Sequence, residues 1–267
     1  MKVITTDEIK RIQLGILRHI DSFCKDHGIR YFLSCGSLLG AVRHHGFIPW
    51  DDDVDIVMPR EDYDRFEQLY GSIDNSCFTL HTFNRDHSFP YPFIKVDDSR
   101  TVFKEEIRIK YNIGVHIDVF PADTIPDDEK ERKRMFSRIR RLIKMMTVKR
   151  LPIKKRRGLK KNTTLLIGQI LLLPISTKWI IKRIIENSCR YNNQQMQYIG
   201  NCVWGVGIKD TIHKECYSSA IMTEFEGERF PIPIGWEEYL TSVYGDYMQL
   251  PPEEERKVHH NYKAYYK

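Results

Sequence analysis

The chain has 267 residues, 41% of them hydrophobic and 12% aromatic, enough to bury a sizeable core and too many for general disorder. The net charge of +6 is unevenly spread: fifteen Lys and Arg and no acid lie between Arg132 and Lys161, which leaves the remainder at about −9. The six cysteines (Cys24, Cys35, Cys77, Cys189, Cys202 and Cys216) form no CxxC and no zinc-like spacing. A disulfide framework is therefore not expected, and the thiols read as reduced in a cytoplasmic protein.

In chain order, the first 20 residues carry an acidic pair and no continuous apolar run, so they do not read as a signal peptide. Ile9, Ile12, Leu14, Ile16, Leu17 and Ile20 recur at helical spacing after Thr6 or Asp7, and the helix is expected to end near Gly28. Ile29–Leu33 reads as a short strand, Leu38–Val42 as a turn of helix, and Trp50–Met58 as a strand carrying carboxylates. A helix over EDYDRFEQLY follows Pro59 and stops at Gly71. CFTLHTF, FIKVDD, TVFK and GVHIDVF read as further strands, with a new region beginning at Pro121.

The order predicts an α+β fold: a mixed β-sheet core flanked by helices over 1–125, a basic and mostly helical region over 126–225, and a Trp-, Tyr- and Pro-rich segment over 226–267 packing on the core. The run Thr164–Ile175 is strongly apolar but spans only twelve residues. A membrane-crossing helix needs about 20, so a buried or interfacial helix is expected there.

The stretch GFIPWDDDVDI sets Asp51, Asp52, Asp53 and Asp55 beside an apolar strand. Two carboxylates ~5 Å apart repel by roughly 3 kcal/mol at an effective dielectric of ~20, so a cation is expected between them. On an extended chain Asp51, Asp53 and Asp55 share a face. Asp53 and Asp55 can then both reach one divalent cation, and Mg²⁺ takes one or two carboxylates together with phosphate oxygens. Asp118, between Ile117 and Val119, is a second acid in apolar surroundings. It is expected either to join that metal cluster or to act as base toward a hydroxyl.

Upstream, Gly36 and Ser37 form a turn ahead of a short helix, and such a turn suits a phosphate. Arg43 is a candidate phosphate clamp. Lys95 is a candidate phosphate contact, with an ordinary surface lysine as the alternative, and Arg100 reads the same way. No metal pairing is expected from His44 and His45. His259 and His260 sit on the tail, where structural or surface roles are expected.

A Gly-Ser turn, a D-x-D strand and a third acid on a later strand resemble the nucleotidyltransferase superfamily. More narrowly, YFLSCGSLLGAVRHHGFIPWDDDVDIVMPREDYDRF resembles the LicD family, phosphocholine transferases related to fukutin, as do GVHIDVFPAD and YGDYMQLPPEEERKVHH. The resemblance covers about 31–66, 114–123 and 236–260 and does not reach 127–225.

It implies a nucleotidyltransferase-like core and a Mg²⁺-dependent transfer of phosphocholine from CDP-choline. The implied acceptor is a sugar hydroxyl of a cell-surface glycan, a teichoic acid or lipopolysaccharide, or its lipid-linked precursor. Under it, Asp53, Asp55 and Asp118 are the catalytic and metal-binding acids. Gly36 and Ser37 are the donor-phosphate turn, and Asp51 falls within the signature.

Two other chemistries stay open: transfer of another alditol or amino-alcohol phosphate, and transfer of the nucleotide itself. A non-catalytic, membrane-associated ligand binder is the alternative from another class. No spacing of Tyr or Trp marks a cage for a quaternary ammonium. The basic segment reads as a helix on an anionic membrane surface across 132–175, which would make the protein peripheral at the inner face of the cell membrane. Contact with an anionic polymer and a plain solvated face are the alternatives. No nucleic-acid module accompanies the charge.

Overall fold

The computed structural model describes residues 2–72, 77–108, 110–154, 157–256 and 262–267. Its first helix, α1 (Thr6–His27), is capped one residue earlier than the sequence suggests. Thr5 accepts the Glu8 N–H at 3.3 Å, and Glu8 Oε2 accepts the Thr5 N–H at 2.8 Å, a reciprocal capping box. Gly28, at φ 60°, closes the helix in the left-handed conformation that favours glycine. The buried stripe of α1 includes Ile9, Ile16, Leu17, Ile20 and Phe23.

The main sheet is mixed. Its order is β1 (Phe32–Leu33), β2 (Asp55–Pro59), β6 (His116–Ile125), β4 (Ile94–Asp98) and β3 (Phe78–His81). The far end of β6 continues onto β7 (Tyr198–Gly200) and then β8 (Ile212–His213). Only β2 and β6 run parallel; β1–β2, β4–β6 and β3–β4 are antiparallel. Helix α1 packs on β4 and β6, and α3 (Arg60–Tyr70) packs on β2 and β6. Helix α2 (Cys35–His44) lies against β2. The acidic stretch is therefore not one strand from residue 50: Asp51 to Val54 approach it irregularly, and β2 begins at Asp55. Nor does Pro121 start a new region, because β6 runs through it, opposite Met58, to Ile125.

Beyond the sheet, α4 (Glu129–Arg150), α5 (Leu159–Leu171) and α6 (Thr177–Ser188) supply the expected helices. The α-helices of this region end with α6, followed by a turn of 3₁₀ to Tyr191, rather than running towards 225. From there to 225 the only helical pieces among the described residues are short 3₁₀ turns, Gly207–Asp210 and Lys214–Tyr217. The chain then needs extended pieces to complete the sheet, which are β7 and β8, and next a hairpin of β9 (Ala220–Phe225) and β10 (Glu228–Pro233). Its two turn residues, Glu226 and Gly227, both have positive φ (55° and 76°), the geometry that matches strand twist in a two-residue loop. Glu226 is held there by use: its N–H donates to His45 O and its carboxylate accepts the Phe47 N–H, both at 2.9 Å.

Helix α7 (Trp236–Tyr244) ends at Gly245. β11 (Tyr262–Tyr266) pairs with β5 (Thr101–Glu105), and Val3 bridges Tyr265, so the two ends of the chain meet. All six cysteines are free.

Two acids on β6 have opposite fates. Asp123 is fully buried but completely paired: Arg60 grips it at 2.7 and 2.9 Å, and Asn192 donates to it at 2.8 Å. It ties α3 to the sheet. Asp118 faces an open cleft.

Candidate active site

Parallel pairing sets Asp55 directly beside Asp118, the first register pair of β2 and β6. Antiparallel pairing sets Lys95 on the other side of Asp118. Neighbouring strands lie about 4.8 Å apart, so three charged side chains on adjacent strands meet at one level.

The backbone of Asp55 is fastened by the turn that opens α2. Its N–H donates to Ser37 Oγ at 2.9 Å, and its carbonyl accepts the Ser34 N–H at 3.0 Å. Ser37 thus positions the acid. Gly36 leaves room for the Asp51 carboxylate: a Cβ there would stand 2.3 Å from Asp51 Oδ2 and displace it. The Asp51 carboxylate itself lies against the start of α2, where a helix N-terminus favours negative charge. Asp52 is buried and accepts a hydrogen bond from Tyr262 of β11.

Asp53, Asp55 and Asp118 line one cleft of about 750 Å³ with Lys95 and His116, a volume in the usual range for a small-molecule site. Burial raises the Asp55 carboxyl well above its ordinary range, and Asp53, Asp118 and Asp51 push it further, against the opposing pull of Lys95. The Lys95 ammonium is 4% exposed, so it is not a surface lysine. It donates to Asp118 Oδ1 at 2.6 Å and lies 2.9 Å from His116 Nε2. His116 Nδ1 is 2.9 Å from Gly114 O, which can only accept, so Nδ1 carries the proton and Nε2 accepts from Lys95. Burial, and then Lys95, lower the imidazole to about 3, which keeps it neutral.

Arg43 does not enter the cleft. Its Nη1 donates to Tyr247 O at 2.7 Å and Gln249 O at 3.4 Å, bracing the segment after α7. Arg100 is bound to Asp98 at 2.6 Å, also away from the cleft. The cations at the cleft rim come from the basic segment instead: Arg150, at the end of α4, then Lys154 and Arg157. His259 and His260 lie outside the described residues.

An aromatic corner also escaped the sequence. The rings of Tyr91, Phe93 and Trp204 stand 5.4, 5.8 and 6.3 Å apart at steep angles. Arg150 lies over Tyr91 at 4.2 Å and Trp204 at 5.9 Å, while Lys95 lies 4.5 Å from Tyr91. Glu105 completes the corner, 2.5 Å from the Tyr91 hydroxyl and 3.5 Å from Arg150. This is a place that holds cations, since ring faces and a carboxylate both favour positive charge. Only His116 had a visible signal, being two residues before Asp118 and so on the same strand face. Tyr91, Glu105, Arg150 and Trp204 are far apart in sequence and meet only in the fold.

Trp204 is carried by a loop braced by Asp210, which is 1% exposed. Burial pushes the Asp210 carboxyl up to about 7, against hydrogen bonds from the Val206 and Gly207 backbones. The folded chain keeps this proton up to about 7, whereas a free carboxyl releases it near 3.8. Stability is therefore fully present below the lower value and is lost as pH rises through 7. Asp210→Asn removes the penalty. Its melting temperature is expected to gain on wild type between about pH 5 and about pH 8; a gap that does not change with pH refutes this.

Among the described residues, no three His, Cys, Asp or Glu side chains close round one point as a ready metal site, and Lys95 is bound to Asp118. The donors nevertheless suit Mg²⁺. They are oxygens only, and a half-buried Asp55 crowded by like charges is a site in want of a cation; two carboxylates suffice when phosphate supplies further ligands.

An α+β protein with a carboxylate floor and a cationic rim suits a multivalent anion bound together with its counter-cation. The family model described as LicD/FKTN/FKRP, nucleotidyltransferase domain, matches residues 28–156. The chain is 34% identical over 275 aligned residues to the lipopolysaccharide cholinephosphotransferase LicD of Haemophilus influenzae, covering 99% of each chain. Similarity to the ribitol 5-phosphate transferase FKRP is narrower. It is 34% over 104 residues in mouse and 37% over 84 in human, spanning 19% and 17% of those proteins. The chain belongs to the LicD family.

Proposed function

We propose that the protein transfers phosphocholine from CDP-choline, with Mg²⁺, to a sugar hydroxyl of a cell-surface glycan or its lipid-linked precursor. A teichoic acid or a lipopolysaccharide is the acceptor class, and the proposed location is the cytoplasm, peripheral at the inner face of the cell membrane. The observation that carries this reading is the register pair Asp55–Asp118 on the floor of a cleft that also holds an aromatic corner and a basic rim.

Asp53 and Asp55 are the pair assigned to Mg²⁺, which when bound neutralises charge on the donor's phosphate oxygens. Lys154 and Arg157 face the diphosphate from the rim. The acceptor hydroxyl oxygen forms a new bond to the choline-side phosphorus, the bond from that phosphorus to the CMP oxygen breaks, and the hydroxyl proton passes to Asp118. CMP leaves. Lys95 aims Asp118 through its 2.6 Å hydrogen bond, and His116 holds Lys95 in place. Positioning and charge neutralisation are most of what phosphoryl transfer asks of a protein.

Donor labelled in either the choline methyls or the cytidine tests the reaction directly. Choline label on the acceptor with free labelled CMP is the expected result; cytidine label on the acceptor would make the protein a true nucleotidyltransferase. The similarity to ribitol 5-phosphate transferases favours one alternative donor, a polyol phosphate with an uncharged head group. The aromatic corner separates the two. If it holds the trimethylammonium, Trp204→Leu raises KM for CDP-choline by about tenfold and leaves CDP-glycerol unaffected. Equal losses for both donors would remove the head group from that corner.

A further inference from the structure

Helix α5 buries only Leu165 and Gln169. Gln169 is a polar anchor: its Nε2 donates to Val148 O at 2.9 Å and Leu151 O at 2.8 Å, and its Oε1 accepts from Arg108. These bonds satisfy carbonyls at the end of α4 and turn the apolar side of α5 outwards. Leu159 is 85% exposed, Ile167 53%, Ile170 54% and Leu171 71%, and at helical spacing they form one stripe with Leu166. Leu173, just beyond, is 72% exposed. Around this stripe, the stretch from Arg132 to Ile185 contains eighteen Lys and Arg and no acid. Lys160 and Lys161 on α5 itself, and Lys178 and Lys182 on α6, are exposed.

We infer that the outer face of α5, with its basic surround, docks on the surface of an anionic lipid bilayer. An exposed apolar stripe seeks an apolar phase, and a surround this rich in Lys and Arg seeks negative charge; anionic lipid offers both together. A second copy of the chain would bring the same positive field against itself. An acidic polymer would leave the Leu and Ile side chains in water. No helix among the described residues is long and apolar enough to cross a membrane, so the contact lies at the surface.

The segment after α4 joins this face to the catalytic cleft. Leu151, Lys154 and Arg157 line the cleft, whereas Pro152 and Ile153 line an apolar groove with Leu166, Ile170 and Leu173. Docking through α5 therefore brings the cationic mouth of the cleft to the lipid surface. Resting on the proposed reaction, this makes the acceptor one carried on a membrane lipid rather than a finished polymer away from it.

The test is co-sedimentation of the full chain with phosphatidylcholine vesicles, with and without phosphatidylglycerol. It is run on wild type and on Asp55→Asn, so that lipid binding is read apart from catalysis. Preferential binding to the anionic vesicles, weakened by salt, is expected for both. The pair Ile167→Glu and Ile170→Glu lies on exposed positions and is expected to weaken that binding by at least about tenfold. Lys160→Glu with Lys161→Glu leaves the apolar stripe intact and is expected to do the same. No vesicle binding, equal binding to neutral and anionic vesicles, or binding indifferent to both pairs overturns the inference. So does a wild-type dimer in solution that the Ile pair dissociates. If lipid binding behaves as expected while CDP-choline is neither bound nor turned over, the docking surface stands and the proposed reaction falls.

Discussion

Asp55→Asn is expected to lower transfer by about a thousandfold while leaving the folded protein, without Mg²⁺, at least as stable as wild type. The two effects have one origin. Burial, together with Asp53, Asp118 and Asp51, opposes the negative charge of Asp55, and Lys95 favours it. A half-buried carboxylate among like charges is costly, and the amide has the same shape without the charge. Because the folded carboxyl binds its proton more tightly than a free one, the penalty is absent at low pH and grows as pH rises above the ordinary carboxylate range. The backbone bonds to Ser34 and Ser37 do not involve the side chain and survive the substitution. Thermal melting with and without Mg²⁺ checks this: Mg²⁺ should raise the melting temperature of wild type and not that of the variant. A variant that melts well below wild type would mean that Asp55 is structural. One that retains turnover would remove it from the reaction.

Lys95→Met is the second large effect. The ammonium is 4% exposed and its partner Asp118 is 20% exposed, so removing the cation strands a carboxylate in a poorly hydrated place beside Asp55. Breaking such a pair from one side costs about 3 kcal/mol, the lower end of the usual range, because the open side of the cleft hydrates Asp118 in part. Met keeps the bulk of the stem, which limits the packing loss, but gives up the ammonium's contacts with the Tyr91 and Phe93 rings. Adding Asp118→Asn removes the stranded charge, so the double variant should recover much of the stability while remaining inactive. A denaturation cycle on the four proteins measures this. Additive losses would show that Lys95 acts through packing rather than through Asp118.

Local signals carried much of the architecture. The spacing of apolar residues and Gly28 located α1, Pro59 and Gly71 bracketed α3, and Gly245 closed α7. These are short-range effects, set by backbone preferences within a turn or two. The acidic stretch was legible for the same reason: four carboxylates in five positions beside apolar residues are improbable without a cation. Its conformation was less so, since repelling acids and Pro49 do not reveal where sheet pairing begins, and β2 starts only where β6 can pair with it. Arg43 was misplaced because its position in sequence, one helix after the Gly-Ser turn, does not say which way the side chain leaves α2. Carbonyls of the chain 204 residues later decide that.

By itself, the sequence determined that acids would gather near Asp55, that Asp118 would stand on a later strand, and that positive charge would be confined to one segment. Only the tertiary structure decided what faces them. Register between β2, β6 and β4 set Lys95 rather than a solvent shell beside Asp118. The end of α4 brought Arg150 onto rings from two distant segments, and the Gln169 anchor turned the apolar side of α5 outwards. Charge and hydropathy are properties of each residue, readable in order. Which of them share a cleft depends on strand order and helix docking, and those are settled by burying the core as a whole.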